Sequence, residues 1–147
     1  MKEINKMQLK FLSLSSNESF ARSCVSAFCL ELNPSIDELT DIKTAVSEAV
    51  TNCVVHAYPK KPGMVTLDVV LYDDYVDISV SDSGVGIFDI KKAREPFYTT
   101  NKTGERSGMG FTVMESFMSN IDVIKNQNGG ITVNMKKYLS KDQALEG

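Results

Sequence analysis

Apolar positions change their spacing along this chain, and the changes divide it into elements. "INKMQLKFLSL" alternates in part and carries β-formers, which predicts a strand from about Ile4 to Leu14. In "SSNESFARSCVSAFCLEL", Ser15 and Glu18 stand at capping-box spacing. A helix is expected to begin there and run to about Leu32, with Phe20, Cys24, Ala27 and Phe28 on its buried face. "NPSIDELTDIKTAVSEAVTNCVVHAY" repeats the grammar: Ser35 caps, Glu38 closes the box, and Pro59 lies just past the end. Leu39, Ile42, Val46, Ala49, Val50, Cys53 and Ala57 share one face of that second helix. "MVTLDVVLYDDYVDISVSDSG" reads as two strands around a turn at Asp73-Asp74.

Beyond it, "DIKKAREP" suggests a short helix and "FYTTNKTGERSG" has the composition of a mobile loop. "MGFTVMESFMSN" predicts a helix starting beside Gly108 and Gly110. "IDVIKNQNGGITVNMKKY" predicts a final hairpin around Asn128, Gly129 and Gly130. The expected architecture is an α+β sandwich: one mixed, mostly antiparallel sheet with helices on one face. A single domain over residues 1–139 is expected, followed by a polar tail over 140–147.

Composition narrows the function classes. The 147 residues suffice for one domain with a core, and 42% hydrophobic content fits a globular protein. Net charge is −3, with acids and bases interspersed and no Lys/Arg run, so direct nucleic-acid binding is not expected. Cys24, Cys29 and Cys53 form no CxxC pair and read as small buried thiols in a reducing compartment. Neither a signal peptide nor an apolar span of roughly 20 residues occurs, so a cytoplasmic protein without a membrane anchor is expected.

Three stretches carry candidate chemistry. In "SEAVTNCVVHAY", Glu48, Asn52 and His56 recur every four residues and share one gently winding helical stripe. A solvated polar face has this pattern. So does a ligand face, on which the Asn52 amide oxygen would suit Mg2+. In "DSGVGI", directly after a strand, Gly84 and Gly86 let the backbone approach a ligand, and Asp82 can accept a hydrogen bond from an exocyclic amine. An ordinary glycine turn reads the same way. In "RSGMGF", glycines at a helix start offer free N–H groups to an anion. There is no GxxxxGK[ST], and neither glycine pair extends to GxGxxG.

Taken in order, an Asn-bearing helix, Asp-x-Gly-x-Gly, a Thr/Gly loop and Gly-x-Gly at a helix start resemble the GHKL ATPase superfamily. Within it, "NESFAR", "SEAVTN", "DSGVGI", "PFYTT" and "ERSGMGF" look very like the anti-sigma F family of spore-forming bacteria. The likeness spans roughly Met7 to Lys137. It implies an ATP-dependent serine kinase that also inhibits a sigma factor of the sigma-F type and phosphorylates its anti-anti-sigma antagonist. It implies Asn52 on Mg2+, Glu48 as general base, and Asp82 on the adenine amine with Gly84 and Gly86 beneath the base. Thr99 and Thr100 would begin an ATP lid. Gly108 and Gly110 would cradle phosphates, Arg106 would reach the γ-phosphate, and Arg22 would meet protein partners. A homodimer is the implied assembly.

The chain departs from the family pattern in places. Ala57 stands where glycine is expected, and is expected to tighten the helix end. Gly130-Ile131-Thr132 replaces Gly-Thr-Thr, so a threonine contact at position 131 is lost and Thr132 is not assigned to the nucleotide. Lid contacts from Lys102 stay unassigned, and His56 reads as a helix-end cap or packing residue. Three other readings compete. A histidine-kinase catalytic module would need a phospho-accepting histidine from another chain. A nucleotide-switched binding module would not need Glu48. A mechanical ATPase clamp would need a transducer domain.

Overall fold

The alternating segments pair into one five-stranded sheet. The computed structural model describes residues 2–86, Arg94 and residues 110–140. Strands β1 (Glu3–Leu12), β2 (Met64–Tyr72), β3 (Tyr75–Asp82), β4 (Asn120–Lys125) and β5 (Ile131–Tyr138) lie in the order β1-β2-β3-β5-β4. Every described neighbour pair is antiparallel. Alternation sends Val65, Leu67, Val69 and Leu71 of β2, Val76, Ile78 and Val80 of β3, and Ile131, Val133 and Met135 of β5 into the core. The opposite face is polar and cross-linked: Gln8 Nε2 donates to Asp68 Oδ1 at 2.8 Å, and Asn134 Nδ2 donates to Asp77 Oδ1 and Ser79 Oγ.

Helices α1 (Ser15–Cys29), α2 (Ile36–Asn52) and α3 (Gly110–Phe117) supply the other layer, and α2 lies between α1 and α3. Its buried stripe is Ile42, Ala45, Val46, Ala49 and Val50, continued by Cys53 and Ala57, with Leu39 partly buried. Lys137 fastens this layer to β5: its Nζ lies 3.0 Å from Asp41 Oδ2 on α2 and donates to the Phe117 carbonyl at the end of α3. No helix among the described residues is long and apolar enough to cross a membrane.

The two expected capping boxes part company. On α2 the box forms: Glu38 N–H donates to Ser35 Oγ at 3.1 Å, and Ser35 N–H donates to Glu38 Oε1 at 2.8 Å. On α1 it does not form, because Ser15 is already helical and Leu14 holds the cap position without a side-chain bond. The preceding residue is pinned: Ser13 N–H donates to Gly63 O at 2.8 Å, and Ser13 Oγ accepts from Gly63 N–H at 3.0 Å. The chain therefore turns into the helix one residue early. The buried face of α1 shifts as well, to Ala21, Val25 and Cys29, leaving Phe20 half-exposed at 50%. The α-helix ends at Cys29 and a 3-10 turn covers Leu30–Leu32.

The second helix also differs at its end. It is α-helical only to Asn52, and Cys53–Ala57 form a π-turn in which Tyr58 N–H donates to Cys53 O at 3.3 Å. The end widens where Ala57 was expected to tighten it. The short helix expected from "DIKKAREP" and the lid lie outside the described residues, except Arg94, whose guanidinium pairs with Glu115 on α3.

Candidate functional site

Asp82 occupies the last core-facing position of β3, where the alternation would place an apolar residue. The side chain is only 5% exposed, so its oxygens need partners inside the protein. Oδ1 accepts from the N–H groups of Gly84 at 3.0 Å and Ile131 at 3.3 Å. Oδ2 accepts from the Cys53 thiol at 3.6 Å. Burial raises the Asp82 carboxyl above its usual range, and these three donors oppose the rise. Cys53 is pushed well above the ordinary thiol range, first by burial, then by the charge and hydrogen bond of Asp82. It therefore stays protonated and able to donate. Cys29 is also inert, its thiol pushed up to about 12 by burial, and all three cysteines are free.

The backbone around the acid is fitted at close range. A Cβ on Gly84 would lie 2.1 Å from the Ala57 carbonyl oxygen, so only glycine lets the loop after β3 seat on the π-turn. Val85 N–H completes that seat by donating to Ala57 O at 3.0 Å. Gly130 adopts φ +83°, and a Cβ there would meet the Asp82 carbonyl oxygen at 2.1 Å. Asn126 reaches across from the end of β4, its Nδ2 donating to that same carbonyl at 3.0 Å. Tyr58 braces the loop from the other side: its hydroxyl donates to Met64 O and accepts from Ser83 N–H, each at 2.7 Å.

Helix α2 brings Glu48 and Asn52 to this end of the sheet as half-buried residues one turn apart. Asn52 directly precedes Cys53, whose thiol touches Asp82, so the amide-bearing turn and the acid flank one corner. His56 is half-buried within the π-turn and leaves the four-residue register that the stripe assumed. Arg22 is half-buried, not freely exposed: its Nη1 lies 3.6 Å from Glu18 Oε1 and donates to Ser47 Oγ at 3.3 Å, tying α1 to α2 at the residue before Glu48. Gly86 follows the Gly84 turn with φ +76°. Gly110 opens α3. Thr99, Thr100, Lys102, Arg106 and Gly108 lie outside the described residues.

Thr132 points away from the acid, to the polar sheet face, where its hydroxyl meets Ser81 Oγ at 2.9 Å and donates to Asn126 Oδ1 at 2.8 Å. Ile131 turns its side chain into the core and gives only its N–H to Asp82. Sequence reasoning missed Cys53, Tyr58, Asn126 and Gly130 as supports of Asp82. The Asn-Gly-Gly run marked a turn; its task depends on β5 pairing beside β3, with Thr132 opposite Ser81.

Residues 14–137 match the model of the histidine kinase-like ATPase domain. The chain is 50% identical over 142 residues to an anti-sigma F factor of Bacillus cytotoxicus, covering 96% of this chain and 97% of that one. It is 52% identical over 142 residues to an anti-sigma F factor of a Geobacillus species, with the same coverage of both chains. The chain belongs to the anti-sigma F factor family. A third anti-sigma F factor, from Caldanaerobacter subterraneus subsp. tengcongensis, is 50% identical over 139 residues, covering 95% of this chain and 97% of that one. Solved structures share the fold. The RsbU and RsbW domains of Rv1364c from Mycobacterium tuberculosis match with TM-score 0.67 at 18% identity, covering 93% of this chain and 33% of that one. The catalytic domain of histidine kinase ThkA matches with TM-score 0.54 at 18% identity, covering 93% of this chain and 99% of that one.

The residues present fit an adenine nucleotide and its metal. Asp82 is a buried acceptor whose Oδ2 carries, among the described residues, one weak donor, which leaves capacity for an exocyclic amine. Among the described residues no three His, Cys, Asp or Glu side chains gather as a metal cage. The Asn52 amide oxygen is a neutral hard donor of the kind Mg2+ takes alongside phosphate oxygens and water.

Proposed function

We propose that this chain is an ATP-dependent protein-serine kinase that also binds and inhibits a sporulation sigma factor of the sigma-F type. Its phosphoryl acceptor is a serine on the anti-anti-sigma antagonist of that pair. Residues 1–139 act as one kinase domain, working as a cytoplasmic homodimer. The observation that best supports this reading is the buried Asp82, held beside the Asn52 turn in a chain 50% identical to an anti-sigma F factor.

The roles follow from chemistry at each position. Asp82 accepts the adenine amine, with Gly84 and Gly86 under the base. Asn52 offers a neutral oxygen to Mg2+, which supplies charge neutralisation at the phosphates. Gly108 and Gly110 present N–H groups to those phosphates, Arg106 adds positive charge at the γ-position, and Thr99 and Thr100 begin the lid. Glu48, one turn from Asn52, takes the proton of the incoming serine hydroxyl. Phosphoryl transfer depends chiefly on positioning and charge stabilisation, so the base contributes a bounded factor. Arg22 lies on the partner-binding side of α1.

Single-turnover transfer to the antagonist tests the assignment. Glu48→Gln keeps size and removes basicity, so transfer falls by roughly 10²–10⁴-fold while nucleotide binding survives. Asn52→Ala weakens nucleotide binding and transfer together. Near-parental transfer in Glu48→Gln contradicts the role of Glu48 as base.

A further inference from the structure

Cys53 has no place in the roles above, yet among the described residues it is the only side chain that donates to the Asp82 carboxyl. The two carboxylate oxygens are unequally served. Oδ1 has two backbone N–H donors, from Gly84 and Ile131, which match its two lone-pair directions. Among the described residues Oδ2 has the thiol alone, 3.6 Å away, and keeps one direction open. The sulfur approaches from the π-turn, with its residue only 4% exposed, so water does not replace it cheaply.

We propose that Cys53 is a positioning residue for nucleobase selection: its thiol holds Asp82 as an acceptor-only carboxylate whose remaining Oδ2 lone pair takes a 6-amino purine and rejects a 6-oxo purine. This rests on Asp82 reading the base, as assigned above. A 6-amino group donates to that lone pair. A 6-oxo group presents its own lone pairs to it and is repelled. Only a protonated carboxyl, which is itself a donor, would suit the 6-oxo base. Burial pushes Asp82 toward that protonated form, and three donors resist: Gly84 from the loop, Ile131 from β5 and Cys53 from the π-turn. No charged side chain among the described residues contacts the carboxyl. Removing the thiol removes one of the three opposing donors and, among the described residues, leaves Oδ2 without a hydrogen-bond partner.

The test is equilibrium binding of ADP and IDP to the parent, Cys53→Ala, Cys53→Val and Cys53→Ser proteins. The parent prefers ADP. Alanine and valine, one leaving space and one filling it, each lower the ADP-over-IDP ratio by about 5- to 10-fold, the worth of one modest hydrogen bond. Serine, which restores a donor, stays within about twofold of the parent on the same scale. Parental ratios in both alanine and valine variants overturn the proposal, as does an equal loss in all three variants, which would mark a packing role. A parent that does not prefer ADP over IDP removes the role of Asp82 itself, and this inference with it. Should the alanine variant fold poorly, the valine and serine pair decides.

Discussion

Two hairpins in this molecule share a motif and differ in their work. The β2–β3 connection is a two-residue turn at Asp73-Asp74, flanked by stacked Tyr72 and Tyr75, whose ring centroids lie 4.5 Å apart, with Tyr138 4.9 Å beyond. It joins strands at the end of β3 away from Asp82. The β4–β5 connection lies at the opposite end of β3 and closes through Asn126 N–H to Gly130 O at 3.0 Å. Gly129 and Gly130 carry φ of +101° and +83°, and the turn grips Asp82 through Asn126, Gly130 and Ile131. A turn that only closes a sheet tolerates many residues. One that also holds a buried acid is restricted at nearly every position.

Substitutions rank the two turns. Gly130→Val forces a side chain into a left-handed conformation against the Asp82 carbonyl. We expect it to lower unfolding free energy in urea by roughly 2–4 kcal/mol. Asn126→Ala strips a donor from the Asp82 carbonyl and an acceptor from Thr132, and should cost about 1–2 kcal/mol by the same measurement. Asp73→Asn at the far turn should stay within about 0.5 kcal/mol of the parent and leave ADP affinity unchanged in a titration. A loss at Asp73 as large as that at Gly130 would erase the distinction.

Both hairpins were legible in the sequence, since strand alternation and turn residues are local signals. The α2 stripe and its capping box were legible for the same reason. The α1 box was not, because Ser13 is held by Gly63, fifty residues away, and that contact moves the helix start. The π-turn after Asn52 was hidden too: "CVVHA" has the composition of continuing helix, and the widening accompanies the seating of Gly84 and Val85 on Ala57. Asp82 stood out as an acid ending an apolar strand. Its supports did not, because Cys53 and Asn126 reach it from 29 and 44 residues away.

Asp82 also sets a pH signature. Its carboxyl is raised by burial, so the native chain holds that proton more tightly than the unfolded chain does. Its contribution to stability is therefore greatest at low pH and is lost as pH rises from the ordinary carboxyl value through the raised one. Keeping an ionised acid there works against the fold at neutral pH, which is reasonable only if the charge serves a ligand. The Asp82→Asn variant measures this directly, through ADP affinity and urea midpoint at pH 7 on one preparation. Loss of a charge-assisted hydrogen bond predicts ADP binding weaker by roughly 10- to 100-fold, with a midpoint equal to or above the parent's. Parental ADP affinity in Asp82→Asn would contradict the account.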